Sequence, residues 1–119
     1  MLNDFYTIDG LRQTEQTVEC TVRFQPDHAI FGGHFPGQPV VPGVCTMAII
    51  KALLEQALGR SLQLAEAGAV KFLQLLLPQH RPQAQLSWRE AAEGISATAL
   101  LVLDGRPVFK MNARYEVRA

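Results

Sequence analysis

His34 is the side chain whose neighbours best suit it to chemistry. It lies in a sixteen-residue stretch, His28 to Gly43, that holds four Gly, three Pro and two His, and it is followed by an almost uniformly apolar segment from Val44 to Leu58. A mobile linker of that composition would be rich in Ser or charge. Here Ile30, Phe31, Phe35, Val40 and Val41 are interleaved, which predicts a packed, rigid loop. Imidazole titrates near neutral pH and so suits a general base. Pro42 fits a first helical turn and Gly43 permits close approach to the backbone, so a helix starts where the loop ends. Its N-terminus directs unpaired N–H groups and a partial positive charge at whatever the loop holds. That arrangement suits a carbonyl oxygen that gains negative charge during a reaction.

The run His34-Phe35-Pro36-Gly37-Gln38-Pro39-Val40-Val41-Pro42-Gly43-Val44 resembles, without a gap over eleven residues, the HFPGxPxxPGV signature of the hot-dog-fold 3-hydroxyacyl-acyl-carrier-protein dehydratases of fatty-acid synthesis. The resemblance implies that His34 is the catalytic base and that the Gly43 N–H polarises the thioester carbonyl. It also implies a substrate carried on acyl carrier protein and a dimer in which a helix acid reaches the histidine across the interface. That acid stands fourteen residues after the family's histidine, where this chain has Ala48. Phe35, Pro42, Val44, Cys45 and Ala48 are the expected substrate-binding residues around the pair. With the acid absent, two other readings stay open: a hot-dog acyl thioesterase, or a non-catalytic acyl-binding subunit that pairs with an active paralogue in a heterodimer.

Other reactive side chains have plainer explanations. His80, beside Arg81 between Pro78 and Pro82, reads as polar surface, and His28 as a structural or solvent-facing residue. Cys45 shares a helix face with position 48 but reads first as a small packed apolar residue. Lys51, three residues after position 48, reads as solvated or snorkelling. Glu55 lies seven residues beyond Ala48, about 10 Å along a helix axis, too far to replace the acid directly.

The composition narrows the class of function. At 119 residues with 48% apolar content, one domain spanning 1–119 is expected, with a real core and no disorder. Eleven acidic residues balance eleven basic ones, so nothing steers the chain toward nucleic acid or an anionic membrane. Met1 to Gly10 lacks the pattern of a signal peptide, and no run approaches the ~20 apolar residues of a membrane span. A cytoplasmic protein is the expectation. Cys20 and Cys45 lack CxxC spacing, which argues for buried, reduced thiols and against a metal site; no cofactor is called for.

The elements that must position His34 and Gly43 show in the hydrophobic periods. Val18, Cys20, Val22 and Phe24 alternate with polar residues, which predicts a half-buried strand over Gln16 to Gln25. Phe5, Tyr6 and Ile8 fit a short turn or helix over one end of the core. The segment Val44 to Leu58 is apolar on nearly every side, as a buried helix is, and Gly59 suits its C-terminal cap. A second strand is placed within Leu62 to Leu77, over Ala67 to Leu77. Three more follow from the alternation of Ala84, Leu86 and Trp88, of Ile95 to Leu103, and of Phe109 to Val117, with Asp104-Gly105 as a hairpin turn. An antiparallel sheet wrapped around one long helix is the simplest way to bury that helix, and it is the α+β hot-dog arrangement. Leu100 and Val102 fall on the outer face, which points to cover by another subunit in a homodimer or higher even oligomer.

Overall fold

The computed structural model describes residues 4–32 and 39–118. The elements run β1 (Tyr6–Gln13), β2 (Thr17–Phe24), α1 (Ala29–Gly32), α2 (Gly43–Leu58), β3 (Leu62–Phe72), β4 (Gln83–Ala91), β5 (Gly94–Leu103) and β6 (Arg106–Val117). The strands form one six-stranded sheet in the order β1-β2-β4-β5-β6-β3, and every neighbouring pair is antiparallel. This is the α+β hot-dog fold, with the sheet curled around α2.

Alternation places the core. β2 buries Val18, Cys20, Val22 and Phe24; β4 buries Ala84, Leu86 and Trp88; β5 buries Ile95, Ala97, Ala99 and Leu101. Against these faces α2 sets Cys45, Thr46, Ile49, Ile50, Leu53 and Leu54, pairs that recur every four residues and so share one side of the helix. Asp104 and Gly105, at φ of 50° and 77°, close the β5–β6 hairpin as a two-residue left-handed turn. Gly59 ends α2 at φ 67°, and its N–H donates to the Glu55 carbonyl at 2.8 Å. The Glu55 carboxylate accepts from the Leu62 N–H at 2.8 Å, which ties the end of the helix to the start of β3.

Several sequence expectations are corrected. Tyr6, Ile8 and their neighbours form an edge strand rather than a turn or helix. Most of β1 is exposed on both faces, so it carries no alternation to read, whereas Phe5 just before it is completely buried. β3 begins five residues earlier than the expected Ala67 and stops at Phe72; the apolar run beyond it is an irregular strap. The Leu73 N–H donates to the Val108 carbonyl at 2.8 Å and the Val41 N–H to the Leu76 carbonyl at 2.7 Å, so the strap is held between β6 and the end of the motif loop instead of continuing the ladder. Pro42 is the N-cap of α2, with extended φ −63° and ψ 143°, one position before the first helical residue. The loop also contains the single turn α1. Leu100 and Val102 are already half-buried within the chain, Leu100 lying across from Gln85 and Lys110. Among the described residues no helix is long and apolar enough to cross a membrane.

The two thiols are buried and unlinked. Burial pushes Cys20 up to about 11 from its ordinary 9.0. An acid whose folded pKa is raised stabilises the fold below its unfolded pKa, and that contribution is lost as pH rises through the folded value. Stability is therefore expected to fall between about pH 9 and pH 11, by on the order of 2 kcal/mol from Cys20. Tyr6 and Tyr115, both raised first by burial, act in the same direction at higher pH. Urea unfolding near pH 8 and pH 11 should show a smaller alkaline loss for Cys20→Ala than for the wild type, and equal losses would exclude Cys20 as the source.

Candidate functional site

The Pro42 carbonyl accepts the Cys45 N–H at 3.0 Å and the Thr46 N–H at 3.2 Å, and no side chain caps the helix. Among the described residues the Gly43 and Val44 N–H groups have no acceptor, and they stand at the positive end of the helix. Beside it is a cavity of ≈ 310 Å³. Gly43 and Thr46 form its helix side, Phe72, Gln74, Leu75 and Leu76 its strap side, and Val108 and Phe109 of β6 its floor, with Val41 at the end of the motif loop.

Gly43 is small for a reason that the structure makes explicit. A Cβ built at that position would lie 2.9 Å from Cζ of Phe72, so the ring packs where any other side chain would begin. The Phe72 ring also tilts against Phe109, with centroids 4.9 Å apart, and is 55% exposed. The walls are apolar apart from Thr46 and Gln74. Thr46 is only 4% exposed and is the one buried polar residue among those described.

His34 and Phe35 lie outside the described residues. Of the other expected site residues, Gly43 borders the cavity and Pro42 caps the helix beside it. Val44 follows on the helix and is 77% exposed, the most exposed large apolar side chain among those described. Cys45 points into the core, where burial pushes its thiol up and keeps it from acting as a ready nucleophile. Ala48 is half-buried on α2 and does not border this cavity.

The remaining reactive groups have local duties. His28 accepts the Ile30 N–H on Nδ1 at 3.1 Å and presents an edge to the Phe5 ring, so it organises α1. His80 accepts the Leu77 N–H on Nδ1 at 2.9 Å and closes the turn between β3 and β4. Glu55 is committed to Leu62. Sequence reasoning missed Thr46, Phe72, Gln74, Val108 and Phe109, which converge from α2, β3, the strap and β6. The one local signal was a lone Thr near the start of an otherwise apolar helix.

Comparison with known proteins agrees with this fold. Residues 11–100 match the family model of the ApeI-like proteins, described as ApeI dehydratase. None of the curated proteins matches the chain. Among solved structures, a chain of the dehydratase heterocomplex ApeI:P from Xenorhabdus doucetiae superposes with a TM-score of 0.79 at 19% identity, over 95% of this chain and 98% of that one. An uncharacterized protein from Erwinia carotovora subsp. atroseptica gives 0.75 at 22% identity, over 98% of both chains. A hypothetical thioesterase with coenzyme A from Streptococcus pneumoniae TIGR4 gives 0.68 at 14% identity, over 98% of this chain and 91% of that one. At such identities these likenesses speak for the fold.

Proposed function

The chain belongs to the ApeI-like dehydratase family, and from that premise we propose that it removes water from a 3-hydroxyacyl thioester carried on acyl carrier protein, leaving the 2-enoyl thioester. The observation that carries the proposal is the apolar cavity that borders the start of α2, directly after the His34 motif, where the Gly43 and Val44 N–H groups have no acceptor among the described residues. The acyl chain occupies the apolar cavity, and its carbonyl oxygen receives the Gly43 N–H. As the C2 proton passes to the His34 imidazole, negative charge grows on that oxygen, where a fixed donor is worth most. The C2=C3 bond then forms as the C3–O bond breaks, and the departing hydroxide takes the proton back from His34 to leave as water. Phe35, Pro42 and Val44 are the proposed contacts at the thioester end of this path, whereas Cys45 and Ala48 do not line the cavity.

The acid expected at Ala48 is absent, so His34 carries both proton transfers or a partner chain supplies the second group. β3 supports a paired assembly. It is an edge strand of eleven residues without proline, most of it exposed, and Leu64 and Phe72 on it, with Leu73 and Leu75 just beyond, leave apolar surface open. A homodimer through this edge is the simplest cover. A heterodimer with a paralogue would also restore the missing acid, and the likeness to a chain of a dehydratase heterocomplex favours testing it.

The test is to incubate the purified chain, alone and mixed with a paralogue from the same genome, with 3-hydroxyacyl and 2-enoyl carrier-protein thioesters, and to follow the mass of the loaded carrier. Loss or gain of one water is the expected result. Release of free acid would instead mark a thioesterase. An unchanged mass after many hours in both preparations would refute the enzymatic reading.

A further inference from the structure

The geometry points to Thr46 as the residue that binds the substrate's 3-hydroxyl group, an assignment that rests on the acyl-thioester reading above and gives the cavity a preference within it. Thr46 is 96% buried and borders the same cavity as Gly43. A threonine inside a helix ordinarily bonds its hydroxyl back to the carbonyl four residues earlier. Here that carbonyl belongs to Pro42 and receives the Cys45 and Thr46 N–H groups, and the Thr46 hydroxyl makes no hydrogen bond among the described residues. Yet none of their buried side-chain oxygens or nitrogens is both sealed from solvent and unpaired. With no partner among the described residues, the Thr46 hydroxyl keeps some accessible area, on a residue that borders the cavity.

A polar atom left unbonded beside apolar walls costs stability unless something in the cavity pairs with it. The ligand's own functional groups say which partner fits. Thr46 follows Gly43 by three residues, about 4.5 Å along the helix axis. The carbonyl oxygen and the 3-oxygen of the substrate are carried on carbons separated by C2 alone, a span of the same order. With the carbonyl on the Gly43 N–H, the 3-oxygen comes within reach of the Thr46 hydroxyl, the next donor on α2 that borders the cavity. A threonine hydroxyl is too weak an acid to protonate hydroxide outright. Its part is to hold the C3–O bond in line for cleavage and to donate a hydrogen bond to the departing oxygen, while the proton that completes water comes from His34.

The experiment compares binding of two pantetheine amides, 3-hydroxyoctanoyl and octanoyl, whose amide linkage slows removal of the C2 proton during titration. Thr46→Val keeps the shape and deletes the hydroxyl. It should weaken the 3-hydroxy ligand by about three- to tenfold and leave the octanoyl ligand within about twofold, while Thr46→Ser restores the preference. Thr46→Ala must show the same selective loss, which guards against a folding defect peculiar to valine. Turnover should follow with a raised KM for the 3-hydroxyacyl thioester. Equal weakening of both ligands, or of neither, overturns the assignment while the acyl-thioester reading survives. If the wild type binds neither amide and turns over no thioester, both fall together.

Discussion

His34→Ala is expected to lower dehydration by about 10² to 10⁴, the usual contribution of a positioned general base. The size of the effect follows from the division of labour in the site. In the proposed site the Gly43 N–H and the apolar cavity bind and polarise the acyl thioester, but among the described residues no imidazole or carboxylate borders that cavity. His28 and His80 are engaged in their own turns, and Glu55 holds the Leu62 N–H. A lost base therefore has no local substitute. Binding of a saturated acyl ligand should survive, since the cavity and helix terminus are untouched, and the rate should lose the dependence on pH that a titrating imidazole imposes. Thermal melting of the variant separates lost chemistry from lost fold. A folded His34→Ala protein that turns over at the wild-type rate would remove His34 from the mechanism.

The parts of this site were unequally visible in the sequence. Gly43 could be found because a glycine after proline, ahead of an apolar run, marks a helix start, and the structure adds that a side chain there would have to displace the Phe72 ring. β2, β4, β5 and β6 each bury one face, so their period of two survives in the residues. β1 and β3 are the two edge strands, and in the single chain most of their residues are exposed on both faces, which leaves no alternation to read. The misplacement of β3 had a further cause. Its small residues Ala65, Ala67, Gly68 and Ala69 look less strand-like than the Leu-rich strap that follows, although that strap is bonded outside the ladder to Val41 and Val108. The cavity depends on this strap. Thr46, Phe72 and Phe109 are far apart in sequence and belong to elements of different period, so no spacing rule joins them before the sheet is folded.

Gly43→Pro should abolish the proposed oxyanion contact and leave the helix standing. Proline lacks the N–H, and at the first helical residue that group has no intrahelical partner to lose. Pro42, with φ −63° and ψ 143°, already adopts the extended conformation that the residue before a proline requires. The foreseeable steric cost is at Phe72, whose Cζ stands 2.9 Å from the position of a new Cβ. That atom is the far end of a half-exposed ring, which can swing aside. Gly43→Ala isolates this cost, because it adds the same Cβ and keeps the N–H. The alanine variant should retain most activity, whereas the proline variant should lose about 10² to 10³ in kcat, as removal of a single oxyanion donor does elsewhere. Both should melt close together, since the two share the displaced Phe72. If alanine and proline depress the rate equally, the ring and not the N–H governs the site. If both proteins stay near the wild-type rate, the thioester carbonyl is polarised from somewhere other than the start of α2.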